Sequence, residues 1–152
     1  MLTRRHVIAG LTAAPLLAFV PTRSAAATAR FYNNDGIAID GTDAVAYFTQ
    51  SAPVAGDAAI FHDWSGVRWQ FASTANRDAF AANPEAYAPQ YGGFCAWAVA
   101  QGYTASTTPE AWAVMDDKLY LNYSRRIQRR WARDIPGNIA LGDQNWPTIE
   151  IG

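Results

Sequence analysis

The segment that decides the fold is Ile60-Phe61-His62-Asp63-Trp64-Ser65-Gly66-Val67-Arg68-Trp69-Gln70-Phe71. Its centre, residues 63–66, is typical of a turn between two strands, because Asp, Ser and Gly accept tight-turn backbone geometry. From Val67 to Phe71 every second residue is apolar, and successive side chains of a strand point to opposite faces. The segment therefore predicts an antiparallel β-hairpin with one buried face.

Helices and a second hairpin are predicted around this segment. Ser73 or Thr74 and Ser124 are suited to cap helices, and Pro136-Gly137 is suited to end one. In chain order the pattern predicts a strand over 45–49, a loop over 52–57, a helix from 73 or 74 to 83, a helical turn over 84–87, a helix over 96–101, a hairpin over 112–123, a helix from 124 to 135 and a helix over 139–146. This order predicts a small α+β domain, with short antiparallel hairpins packed against several short helices.

The first 29 residues predict a cleavable export signal. Arg4 and Arg5 precede an uncharged run over 7–20, which as a helix would be ~21 Å long, against ~30 Å for a membrane core. The paired arginines favour a twin-arginine signal over an ordinary secretory one. Small residues place cleavage near Ala27 or Ala29. We therefore expect a periplasmic protein with no transmembrane segment after cleavage; a buried N-terminal helix is the alternative.

Composition limits what the remaining chain can do. The 152-residue sequence has a formal charge of −1 and a single cysteine. From Arg30 onward it has nine basic and thirteen acidic residues, a formal charge of −4. An acidic exported chain is not expected to bind nucleic acid. One cysteine excludes both an intramolecular disulfide and a cage of several thiolates. We divide the chain after the signal into a lead-in over 30–42, a domain over 43–146 and a tail over 147–152.

Several segments of this domain resemble the YHS domain family. They are Ala44–Phe48, Trp64–Ser73, Asn76–Phe80, Asn83–Tyr87, Pro89–Ala96 and Lys118–Tyr123. The family core would cover about 43–100, and the likeness to exported members extends to Trp146. The resemblance implies a small module associated with metals. In that family two cysteine positions are held responsible, and the corresponding segments here, 40–43 and 71–73, contain no cysteine.

Cys95 is the residue that could bind a metal in this chain. It follows two glycines at the predicted start of a helix, where backbone N–H groups favour a thiolate. His62 and Met115 complete the set of soft and imidazole ligands that copper or another transition metal prefers. The alternatives are a small buried thiol, a hairpin histidine without a role and a core methionine. A further hypothesis is an enzyme in which Cys95 is the nucleophile and Asp43 or Asn76 orients His62.

Two larger groups of residues could form binding surfaces. Five arginines occupy an arc of about 140° on the predicted helix at ~100° per residue, opposite its apolar side chains; they are Arg125, Arg126, Arg129, Arg130 and Arg133. Such a face suits an acidic partner or a membrane surface, or it is a solvated face paired with acids. Six aromatic residues could line a ligand pocket or fill the core; they are Tyr47, Trp64, Trp69, Tyr91, Phe94 and Trp97.

These patterns favour an exported, non-enzymatic module that binds a small ligand or a metal. Docking of an acidic partner or a membrane surface by the arginine helix is the alternative, and a cysteine-dependent enzyme is the third hypothesis.

Overall fold

Two small sheets and a series of short helices make up residues 30–151, the part of the chain that the computed structural model describes. The predicted export signal lies outside these residues. In chain order the elements are β1 (Asn33–Asn34), β2 (Ile37–Ala38), α1 (Ala46–Thr49), β3 (Asp57–Trp64), β4 (Val67–Phe71), α2 (Thr74–Ala82), α3 (Pro84–Tyr87), α4 (Ala96–Ala100), β5 (Thr108–Met115), β6 (Lys118–Asn122), α5 (Arg125–Trp131) and α6 (Ile135–Asn145). The predicted α+β class is confirmed.

The first sheet contains the predicted hairpin. Its strand order is β1-β2-β4-β3, with β3 and β4 antiparallel and β2 parallel to β4. The turn between β3 and β4 is Ser65-Gly66, and both residues have positive φ, as a two-residue hairpin turn with the right twist requires. Val67, Trp69 and Phe71 are buried, as their alternation predicts. The lead-in over 30–42 supplies β1 and β2 to this sheet.

Two of the predicted elements are wrong. Residues 45–49 form the helical turn α1 rather than a strand, because one oxygen of Asp43 accepts the N–H groups of Val45 and Ala46 and caps the turn. Pro136 begins a helix instead of ending one: α5 stops at Trp131, and Pro136 occupies the first turn of α6, where proline loses no helical hydrogen bond. The predicted helices α2 and α4 and the second hairpin are confirmed.

The hairpin β5–β6 lies between two clusters of buried side chains. The first core contains Trp69, Phe71 and Phe80, and the second core contains Tyr91 and Trp131. Along β6 the side chains alternate between them: residues 119 and 121 belong to the first core and residue 120 to the second. Within residues 30–151, no helix has the length and apolar character needed to cross a bilayer.

Candidate anion-binding face and cleft

Helix α5 has a fixed orientation that turns its arginines outward. The hydroxyl of Ser124 accepts the N–H of Ile127 at 3.2 Å and caps the helix as predicted. Trp131 at the other end is fully buried, and its ring packs 5.3 Å from that of Tyr120. Four of the five predicted arginines lie on α5, and Arg133 lies in the short 3-10 turn over Ala132–Asp134 that follows it, because the helix ends at Trp131; all five are exposed. The helix therefore has one anchored apolar side and one cationic side.

The arginines of this face have no carboxylate partner within the described part of the chain. Its ion pairs within 4.0 Å are Arg68 with Asp63 and Arg77 with Asp78, both outside α5. Glu110 lines the same shallow cavity as Arg125 and Arg129, and its carboxylate accepts a hydrogen bond from Thr108. The side of α5 that presents Arg126 and Arg130 has no acidic residue in the cavity beside it.

An apolar cleft of about 220 Å³ lies beside this cationic side. It opens between α4, α5 and the connection before β5, and no charged side chain lines it; its walls are Cys95, Trp97, Ala98, Tyr103, Ala105, Tyr123 and Ile127. The guanidinium of Arg130 lies over the Trp97 ring, 5.2 Å from its centroid. Tyr103 and Tyr123 are 49% and 55% exposed, large fractions for aromatic side chains.

Cys95 lies at the base of the cleft and is 1% exposed. Its sulfur accepts the backbone N–H of Tyr123 at 3.3 Å and contacts the side-chain oxygen of Asn122 at 3.7 Å. That oxygen also accepts the N–H of Trp97 at 3.2 Å, so Asn122 joins the end of β6 to the start of α4. Asn122 is not among the site residues predicted from the sequence; the available signal was a polar residue that ends the apolar run of β6.

The proposed metal ligands lie in different parts of the fold. The ring of His62 packs edge-on against Phe80 of the first core, 6.2 Å between centroids. Met115 lies opposite Lys118, whereas the Cys95 sulfur contacts Asn122 four residues further along β6, a separation of ~13 Å at the rise of a strand. Among residues 30–151, no three His, Cys, Asp or Glu side chains are grouped closely enough to hold a metal ion.

The six aromatic residues predicted to line one pocket are divided between the two cores. Three of its six members, Tyr47, Trp64 and Trp69, pack in or against the first core. The other three, Tyr91, Phe94 and Trp97, pack in or against the second core, and Trp97 also forms a wall of the cleft. Trp64 and Tyr91 additionally line an open groove of about 660 Å³ near the start of the described chain.

The enzyme hypothesis uses Asp43 or Asn76 to orient His62, but these two side chains form hydrogen bonds elsewhere in the fold. The carboxylate of Asp43 is fully buried and accepts the N–H groups of Val45, Ala46 and Ala72, together with the side-chain amide of Asn76 at 2.7 Å. These four hydrogen bonds connect α1 to β4 and α2. Asp43 and Asn76 therefore hold these three elements together.

Comparison of the chain with known protein families, curated proteins and solved structures returns no match. The likeness to the YHS family stays a prediction from the sequence segments.

Proposed function

We propose that this chain is an exported, non-enzymatic binding module whose helix α5 docks an acidic protein partner. The observation that carries the proposal is the set of five exposed arginines on α5 and the turn after it, none of which has a carboxylate within 4.0 Å among residues 30–151. Arginine presents five donors in a planar fork that matches carboxylates, so an unpaired row of them suits an acidic surface.

The charge of the rest of the chain makes this face distinct. From Arg30 onward the formal charge is −4, yet five of nine basic residues lie on α5 and the turn that follows it. Arg68 and Arg77 are already paired with neighbouring acids. An approaching anion is repelled by most of the surface and attracted to α5, and such an arrangement orients the partner as well as binding it.

An acidic protein suits this helix better than a membrane surface does. Helices that lie on membranes insert aromatic or aliphatic side chains from one face. The single tryptophan of α5, Trp131, is fully buried in the second core. The outward face of the helix consists of arginines, which hold carboxylates without inserting into lipid. Metal binding by Cys95, His62 and Met115 stays a prediction, with no contact among these side chains to support it.

Binding of a fluorescein-labelled hexaglutamate peptide, followed by anisotropy at 50 mM salt, tests the proposal. We expect the protein to bind the peptide, and binding to weaken at 200 mM salt because surface charges are screened. The double variant Arg126→Glu/Arg130→Glu should bind at least tenfold more weakly. The control Arg68→Glu/Arg77→Glu changes the net charge equally and should bind as the unchanged protein does. Equal losses in both variants, or no binding by the unchanged protein, would reject the proposal.

A further inference from the structure

We infer that the cleft beside Arg130 receives one large apolar side chain of the acidic partner, an aromatic residue such as phenylalanine flanked by Glu or Asp. This inference rests on the proposed function, since the same partner would contact the arginines of α5.

The size of the cleft sets the size of its occupant. Its volume of about 220 Å³ is smaller than the ~300–1,000 Å³ of sites that enclose cofactors or drug-sized ligands. One side chain fills such a space. The aromatic walls Trp97, Tyr103 and Tyr123 favour an aromatic ring, because rings attract one another in edge-to-face and offset arrangements.

The exposure of the rim indicates that the cleft is uncovered in the isolated chain. Four large hydrophobic residues in the described part of the chain are exposed, and two of them, Tyr103 and Tyr123, border this cleft. Exposed apolar surface gathered around a concavity marks interaction sites more often than single scattered residues do. An inserted side chain would cover part of both tyrosine rings.

Charge complementarity identifies the residues that flank the inserted ring. A second cavity of about 350 Å³ adjoins the cleft and shares Tyr123 and Ile127 with it, and its other walls include Arg126 and Arg130. The guanidinium of Arg130 also lies on the Trp97 wall of the cleft. Neighbouring residues of an extended peptide are ~3.3 Å apart, so residues beside the inserted ring would face these guanidinium groups. Acidic residues suit those positions.

The concave shape favours a peptide over a lipid as the occupant. The apolar groups line a recess, whereas insertion into a bilayer requires apolar groups that protrude. A single acyl chain with an anionic headgroup shares the required chemistry, and vesicles containing phosphatidylglycerol provide the arm of the experiment that would identify it.

Two labelled peptides of equal charge, Glu-Glu-Phe-Glu-Glu and Glu-Glu-Ala-Glu-Glu, test the inference by anisotropy. The unchanged protein should bind the phenylalanine peptide about tenfold or more tightly than the alanine peptide, the gain expected for burying a ring. Ala105→Trp fills the cleft without changing charge and should abolish this preference while leaving the alanine peptide unaffected. Ala81→Trp, at an exposed site on α2, is the matched control. If Ala105→Trp does not fold, Tyr123→Ala replaces it; this variant removes part of the rim and should also reduce the preference for the phenylalanine peptide.

Each outcome separates this inference from the proposed function. Equal binding of both peptides, with loss in Arg126→Glu/Arg130→Glu, overturns the cleft assignment and leaves the proposed function standing. A preference for phenylalanine that survives both cleft variants also overturns the assignment. Failure of both peptides to bind overturns the proposed function. Binding to phosphatidylglycerol vesicles without binding to either peptide replaces the protein partner with a lipid.

Discussion

The buried carboxylate of Asp43 offers the sharpest test of the fold. Its two oxygens accept four hydrogen bonds, and the side chain is completely buried. In Asp43→Asn one side-chain oxygen remains to accept the N–H groups of Val45 and Ala46. The new amide faces the N–H of Ala72 and the amide of Asn76, and a donor cannot accept either bond. Asn76 can turn its own oxygen toward the new amide, but the backbone N–H of Ala72 has no such freedom.

The expected loss follows from these partners. A buried N–H left without an acceptor costs about 1–3 kcal/mol, and hydrogen bonds to a charged group are stronger than those to a neutral amide. We therefore expect Asp43→Asn to lower the free energy of unfolding by about 2–4 kcal/mol. For a domain of this size the melting temperature should fall by about 10 °C. Asp43→Ala, which removes all four acceptors, should be more destabilised than Asp43→Asn.

Guanidinium and thermal unfolding followed by circular dichroism measure both effects. Asp35→Asn is the matched control, because it removes the same charge at an exposed turn position with positive φ, which asparagine tolerates. It should unfold as the unchanged protein does. If Asp43→Asn and Asp35→Asn were equally stable, the carboxylate would not organise α1, β4 and α2, and the argument from its hydrogen bonds would be refuted.

The remaining predictions concern alkaline stability, the start of the described chain, the thiol and metal content. Burial raises the pKa of Tyr91, and the hydrogen bond to Asp143 raises it further. Because the tyrosine of the unfolded chain ionises at a lower pH than that of the folded protein, the free energy of unfolding falls as pH rises above ~10. Tyr91→Phe should reduce this fall, measured as denaturant midpoints at pH 8 and 11. Gly92→Ala should lower the free energy of unfolding by about 2 kcal/mol, because φ is +60° and the added carbon would collide with the carbonyl oxygen of Arg30. Cys95, 1% exposed, should react with iodoacetamide only after unfolding. Elemental analysis of the unchanged protein and of Cys95→Ser tests the predicted metal site, and copper well below one equivalent in both proteins would reject it.

A control variant or a contrary outcome tests each of these four predictions. Tyr103→Phe removes an exposed hydroxyl and should leave the alkaline loss unchanged. Gly36→Ala also has positive φ but no atom within 4 Å of the added carbon, so it isolates backbone strain from the collision at Gly92. Rapid alkylation of native Cys95 would support the enzyme hypothesis. Stoichiometric copper that is lost in Cys95→Ser would support the metal hypothesis.

The parts of the fold that were predicted correctly depend on short-range signals. The alternation from Val67 to Phe71 determined which strand face is buried, and Ser73 and Ser124 cap the helices that follow them. The strand predicted over 45–49 is wrong because these residues form a helical turn that depends on Asp43. The carboxylate of Asp43 is held by groups 29 and 33 residues further along the chain. Asp43 is a local signal for the start of a helix, but the partners that hold its carboxylate in place are distant in the sequence.

The candidate site was predictable in its composition and not in its arrangement. Helical spacing placed the arginines of α5 on one face, but their lack of acidic partners depends on where β5 and the turns lie. Tyr103 and Tyr123 border one cleft because α4 packs beside α5 and the end of β6. Cys95, His62 and Met115 are residue types that bind soft metals, but the sequence alone does not give the distances between them.

The hairpin β5–β6 has a consequence for how the molecule opens. Because alternate side chains of β6 belong to opposite cores, loss of this strand removes side chains from both cores at once. Partial opening of one half would expose part of the other, so the two halves should unfold together. In hydrogen–deuterium exchange the amides of Leu119, Tyr120 and Leu121 should therefore exchange only through complete unfolding, and their rates would report the stability of the whole domain.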